Sequence, residues 1–199
     1  KILFITLSNI GDCILTLPVL DFLREKYPQA KITCLVPPRP QEIFANNSAV
    51  EKVIVFDKHI KLIAKIKLFL TLSKEKFDIV VDLRNSFFGA FLPAKKRSSP
   101  LRRIPGKIKH AKDRHLFWAG FSDYSLKHKK YQSLIIAAGD TGYIQGILNG
   151  HKWANSAKLT VVAPGSRSSI KCWDKQNYAA LCSQLIREGQ HVILVGDKA

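Results

Sequence analysis

Lys1-Ile2-Leu3-Phe4-Ile5-Thr6-Leu7-Ser8-Asn9-Ile10-Gly11-Asp12 is the stretch whose reading decides the fold. Its first half is apolar without alternation and rich in isoleucine, the pattern of a strand buried on both faces of a parallel sheet. The strand runs into a small polar loop, and beyond Asp12 the residues Ile14, Leu15, Leu17, Val19, Leu20, Phe22 and Leu23 follow one helical face, which stops near Tyr27-Pro28. Strand, tight turn and helix are predicted, with Gly11 permitting the turn.

Working outward, strands are predicted at 30–36, 53–56 and 77–83, with a basic amphipathic helix over 58–76. Strands alternating with helices imply βαβ units, hence a parallel sheet with helices on both faces. From 95 to 114 the texture changes, because Lys95, Lys96, Arg97, Arg102, Arg103, Lys107, Lys109, Lys112 and Arg114 come with Pro100, Pro105 and Gly106. That stretch is expected to be exposed loop with short structured pieces. Helix is expected again around 129–138, and the Gly- and Asn-rich residues 139–156 suggest an interdomain linker.

A second α/β unit follows: a strand over 159–163, a loop over 164–170, a helix over 174–187 stopped by Gly189, and a strand over 191–195. One βαβ unit cannot cover both faces of its own sheet, so the second domain is expected to be truncated or docked on the first. The expected division is 1–150 and 151–199. Methionine is absent, including at position 1, which fits a piece of a longer protein or a sequence that has lost residues.

With 199 residues, 46% of them hydrophobic, the chain can bury a sizeable core. Lys and Arg number 32 against 15 Asp and Glu, and the resulting +17 points to an anionic partner: nucleic acid, phospholipid headgroups or a phosphorylated substrate. Cys13, Cys34, Cys172 and Cys182 form no close pair, which argues against a zinc knuckle or a disulfide framework and for a reducing compartment. The apolar run before Ser8 is too short for a signal-peptide core or a membrane span, so a cytosolic protein is expected.

Two motifs more than 150 residues apart resemble one family. Leu7-Ser8-Asn9-Ile10-Gly11-Asp12 followed by Leu15-Thr16-Leu17-Pro18 is similar to the first-loop pattern of the ADP-heptose lipopolysaccharide heptosyltransferases, glycosyltransferase family 9. Ala163-Pro164-Gly165-Ser166-Arg167, then Lys171-Cys172-Trp173 and Tyr178-Ala179, resembles that family's loop in the nucleotide-binding domain. Val36-Pro37, Ala49-Val50 and Arg84 after the fourth strand are in the same style.

The resemblance implies a GT-B architecture of two Rossmann-like α/β domains with parallel sheets, an acceptor-binding N-terminal domain (1–150) and the start of a C-terminal nucleotide-sugar-binding domain (151–199). It implies an inverting transfer of a heptose, or a related sugar, from a nucleotide diphosphate such as ADP-heptose to an anionic lipopolysaccharide precursor. The work would be done at the inner face of the cytoplasmic membrane, without nucleic acid as partner. The family places its general base at the aspartate of the first motif, here Asp12. Ser8, Asn9, Gly11 and Arg84 would serve the acceptor, and Ser166, Arg167 and Lys171 the donor. The family's Asp-(Ser/Thr)-Gly-x-x-His donor loop does not occur in these residues.

The chemistry suits those residue types. A carboxylate within hydrogen-bond reach can take the proton of an attacking hydroxyl. A lysine places a point charge on departing phosphate oxygens, and helix N-termini favour anions. Asp12 at a strand–helix boundary has a second reading as a helix N-cap. Trp173 is expected to pack within its domain rather than to stack on sugar. No Asp-x-Asp pair is present and the histidines lack ligand spacing, so no metal and no cofactor are expected. Two readings from other classes stay open, a basic nucleic-acid-binding protein and a non-catalytic relative; a dinucleotide enzyme is disfavoured because 7–12 holds one glycine where that fingerprint needs three.

Overall fold

β1 (Ile2–Ile5) lies at the centre of a five-stranded sheet whose order is β3-β2-β1-β4-β5, where β2 is Ile32–Val36, β3 Lys52–Val55, β4 Phe77–Asp82 and β5 Ala94–Arg97. Every pairing is parallel. The computed structural model describes residues 1–98, 103–120, 134–151, 153, 158–166 and 168–196. The chain divides into two units, Lys1–Ile136 and Ala137–Ala199.

Alternate residues of the central strands feed two separate cores, as a pleated sheet covered on both faces requires. Ile2, Phe4, Ile32, Cys34, Val36 and Val81 join one face, and α2 (Leu17–Lys26), α3 (Gln41–Ala45) and α6 (Ala111–Trp118) cover it through Leu20, Leu23, Phe44 and Leu116. Leu3, Ile5, Leu35, Phe77 and Val80 join the other, covered by α4 (Leu62–Lys74) and α5 (Phe87–Phe91) through Leu72 and Phe88. The sheet with helices on both faces is therefore present.

The single helix expected after the first loop is two: α1 (Ile10–Ile14) and then α2. Pro18, near the start of α2, explains the break, because proline inside a continuous helix would lose an amide and collide with the carbonyl of Ile14. Gly11 is not the turn residue that was expected. It sits within α1 without a positive φ, and a side chain there would meet nothing within 4 Å.

Among the described residues the basic stretch 95–114 is mostly exposed loop with short structured pieces, as expected. It contains the edge strand β5 and the start of α6, and its cations hold the structure: Lys95 pairs with Asp78 at 2.7 Å and keeps that carboxyl below the usual range. Arg97 donates to the carbonyls of Gly89, Ala90 and Leu92, satisfying the C-terminal end of α5. A charged strand at the edge of a sheet also discourages pairing with another chain.

The linker expected over 139–156 is, over most of its length, a helix, α7 (Ala138–Gly150), and it falls in the second unit. Tyr143, Ile144 and Ile147 repeat at helical spacing, and that periodicity outweighs the glycines. The helix expected around 129–138 lies largely outside the described residues; 134–137 are not helical.

In the second unit β6 (Leu159–Val162) pairs in parallel with β7 (His191–Leu194), in a sheet separate from the first. Between them α8 (Lys175–Arg187) begins at the cap Asp174, whose carboxylate accepts from the amide of Gln176 at 2.8 Å, and ends before Gly189 at φ +78°. Among the described residues no helix is long and apolar enough to cross a membrane.

Candidate functional site

The strand order runs one way from β1 through β2 to β3 and the other way from β4 to β5, so the direction of winding reverses between β1 and β4. Ile5 stands beside Asp82 in their register. The chain leaves β1 toward the face of α1 and α2 and leaves β4 toward the face of α5, so the two connections diverge at the carboxyl ends of these strands. Ligands of open α/β sheets bind at such a reversal. Ser8, Asn9, Gly11 and Asp12 follow β1, and Arg84 follows β4, so the expected acceptor-side residues occupy the two loops that flank it.

The first loop is pinned from below. Thr16 Oγ1 donates to the carbonyl of Cys13 at 2.6 Å, which leaves Thr6 to donate across the 2.9 Å separation of the two buried hydroxyls. The Cys13 thiol donates to the carbonyl of Leu7 at 3.0 Å. Burial, with the Asp12 charge adding to it, pushes that thiol's pKa up and keeps it a donor. Above these bonds Asp12 is exposed and accepts from Asn9 Nδ2 at 2.8 Å.

Asp12 is not the helix cap: Asn9 occupies that position, and Asp12 lies in the first turn of α1. Its carboxylate is therefore not committed to an orphan amide through capping. A helix of five residues also aligns few peptide dipoles, so the N-terminal field expected at this loop is small.

The second loop is built on Asp82, which is 7% exposed. One carboxylate oxygen accepts from the amide of Arg84 at 2.8 Å; the other accepts from the amide of Ser86 at 2.6 Å and its hydroxyl at 2.8 Å. Asn85 adopts φ +53°, a conformation asparagine tolerates, and Arg84 projects half-buried from the turn. Gly89 is required here, because a side chain at that position would meet Asp82 Oδ2 at 2.2 Å.

His115 completes the surroundings of the first loop. It is 7% exposed, its Nδ1 has no hydrogen-bond partner among the described residues, and burial lowers its pKa against the opposing pull of the Asp12 charge, while Arg114 adds to the lowering. Its spacing in the sequence carried no metal signal, and among the described residues no group of three metal-ligating side chains forms.

In the second unit Ser166 and Lys171 lie on the loop between β6 and α8, both exposed, and Lys171 ends the short 3₁₀ turn Ser169–Lys171. Cys172 Sγ approaches the carbonyls of Ser166 and Ser168 at 3.6 Å, drawing the loop together. Arg167 lies outside the described residues. Trp173 does not pack into a core: it is 53% exposed and meets Tyr178 edge-on at 5.4 Å.

Two α/β units, each with a parallel sheet, have the fold elements of a protein of GT-B type. Residues 120–199 match the profile of Glycosyltransferase family 9 (heptosyltransferase). The chain is 24% identical to lipopolysaccharide heptosyltransferase 3 of Escherichia coli over 92% of its own length and 60% of that protein. It is 24% identical to lipooligosaccharide heptosyltransferase 2 of Haemophilus ducreyi over 100% of its length and 64% of that protein.

Among solved structures, a family 9 glycosyl transferase from Veillonella parvula superposes with a TM-score of 0.77 at 21% identity, over 98% of this chain and 62% of the other. E. coli ADP-heptose lps heptosyltransferase II gives 0.76 at 23% identity, over 99% and 64%. The chain is thus similar to the heptosyltransferases of glycosyltransferase family 9, whose profile matches its residues 120–199, and it spans about three fifths of the length of the relatives it matches.

Proposed function

We propose that the protein is an inverting glycosyltransferase that moves a heptose, or a related sugar, from a nucleotide diphosphate donor to a lipopolysaccharide-type acceptor. In this reading the acceptor hydroxyl oxygen forms the new bond to C1 of the sugar, and Asp12 takes its proton. The bond from C1 to the phosphate oxygen breaks, and the diphosphate leaves as an anion whose growing charge Lys171 and Ser166 stabilise, with Arg167 as a secondary cation for the same group. Ser8, Asn9 and Gly11 line the acceptor's approach, and Arg84 meets its anionic groups from the neighbouring loop. The first unit would serve the acceptor and the β6–α8 loop the donor, with the protein working at the inner membrane face.

The observation that carries the reading is Asp12 itself: an exposed carboxylate, free of the capping role, on a rigidly pinned loop at the point where the sheet reverses. One related solved structure is E. coli heptosyltransferase WaaC with ADP-2-deoxy-2-fluoro heptose, which supports a nucleotide heptose as donor class. The full-length protein, given ADP-heptose and a heptose-free lipopolysaccharide precursor, should yield a heptosylated product with inverted anomeric configuration. Failure to transfer any nucleotide-linked heptose, together with salt-sensitive binding to RNA, would move the reading to the nucleic-acid class.

A further inference from the structure

Helix α4 is apolar around most of its circumference, which a helix lying on one sheet face does not need. Leu72 is buried against the sheet, with Leu68 and Phe69 packed beside it. Yet Leu62, Ile66 and Leu70, one helical turn apart, form a second stripe together with Ile63, and these four are 70%, 50%, 54% and 67% exposed. Phe87 and Phe91 of α5 extend it: both are more than half exposed, their rings lie 4.6 Å apart, and Phe87 meets Phe69 at 5.3 Å. Contiguous exposed apolar surface of this kind marks an interaction site.

Between the two helices lies a groove of about 380 Å³, floored by Phe56, Ile66, Phe69 and Phe87 and bordered by Lys65 and Arg84. Residues 58–74 carry five lysines and no acidic residue, so the apolar stripe is set in a cationic rim. Long lysine stems can lie along apolar surface while their charges reach an anionic plane.

We infer that the α4–α5 face docks on an anionic lipid bilayer, with an acyl chain of a lipid entering the groove and its negatively charged headgroup meeting Lys65 and Arg84. The charge pattern selects this occupant. A second copy seated on the same face would set lysines against lysines, whereas an anionic membrane supplies both the apolar chain and the opposite charge. The inference rests on the transferase reading only through Arg84, whose loop would bring a membrane-held acceptor to the point where the sheet reverses.

The test is co-sedimentation of the full-length protein with vesicles of phosphatidylcholine alone or of phosphatidylcholine mixed with phosphatidylglycerol. The wild-type protein should sediment with the mixed vesicles, less so as salt rises, and poorly with the neutral ones. Ile63→Asp with Phe91→Ser should reduce that binding about tenfold or more at unchanged thermal stability, since both side chains are exposed; Lys67→Glu with Lys74→Glu is the second variant and should do the same. Sedimentation of either variant at the wild-type level would overturn the inference, and so would a wild-type protein that ignores anionic vesicles or a variant whose only change is in oligomeric mass. The assay needs neither donor nor transfer, so it reads the surface whether or not the transferase reading holds.

Discussion

Thr6 and Thr16, at the end of β1 and at the start of α2, share a buried hydroxyl–hydroxyl bond of 2.9 Å, and the loop that carries Asp12 is closed by it. Neither hydroxyl has access to water, and removal of Thr16's leaves Thr6 only the weak contact with Cys13 Sγ at 3.5 Å and takes away the bond to the Cys13 carbonyl. Thr16→Val, which keeps the shape, should cost about 1–3 kcal/mol in denaturant unfolding and speed amide exchange across 7–16. Wild-type stability with unchanged exchange would show that the loop is held by something else.

Asp82 and Gly89 form the corresponding pair under the second loop. Gly89→Ala drives a methyl group into the carboxylate that binds the amides of Arg84 and Ser86, so the loop must shift. Destabilisation of about 1–3 kcal/mol is expected, although alanine is the better helix former within α5. A gain in stability would mean that the carboxylate has room to move.

The central sheet was legible because Ile2, Phe4 and their neighbours have no polar alternation, and α8 was legible because Asp174 and Gly189 punctuate it. β5 was not, since Ala94-Lys95-Lys96-Arg97 has no strand character of its own and exists by pairing with β4 and through the bonds of Arg97. α7 was hidden by its glycines. Within the candidate site, the positions of Ser8, Asn9, Asp12 and Arg84 just beyond strand ends could be read from the sequence. Asp82 reads as one more strand residue, and Cys13, Thr16 and His115 act through contacts that only the fold creates.

His115 should make stability fall in acid. Its folded pKa lies below 6.5, so as pH drops through that value the unfolded chain takes a proton first and gains on the folded one. The loss begins near pH 6.5 and ends once pH passes below the folded pKa. Each unit of depression is worth about 1.4 kcal/mol. His115→Gln should flatten the pH 5–7 part of the stability profile, and Asp12→Asn, by removing the opposing charge, should steepen it. Identical profiles for wild type and His115→Gln would contradict the burial argument.

Lys171→Ala bears on the donor side. A charge that touches the diphosphate both before and during departure should, when lost, weaken nucleotide-sugar binding by calorimetry and slow transfer as well. Unchanged affinity for ADP and for the donor would make Lys171 an ordinary surface lysine.

Proton transfer to Asp12 is the central step of the proposed reaction, and Asp12→Asn in the full-length protein probes it. Asparagine keeps the shape and can still accept from Asn9 Nδ2, so the loop and the fold should survive. It cannot take the acceptor's proton. Turnover with a nucleotide heptose and a defined acceptor should therefore fall by about 10²-fold or more while donor affinity stays within about twofold. An Asp12→Asn enzyme that turns over at the wild-type rate would contradict the account and remove the carboxylate from the mechanism.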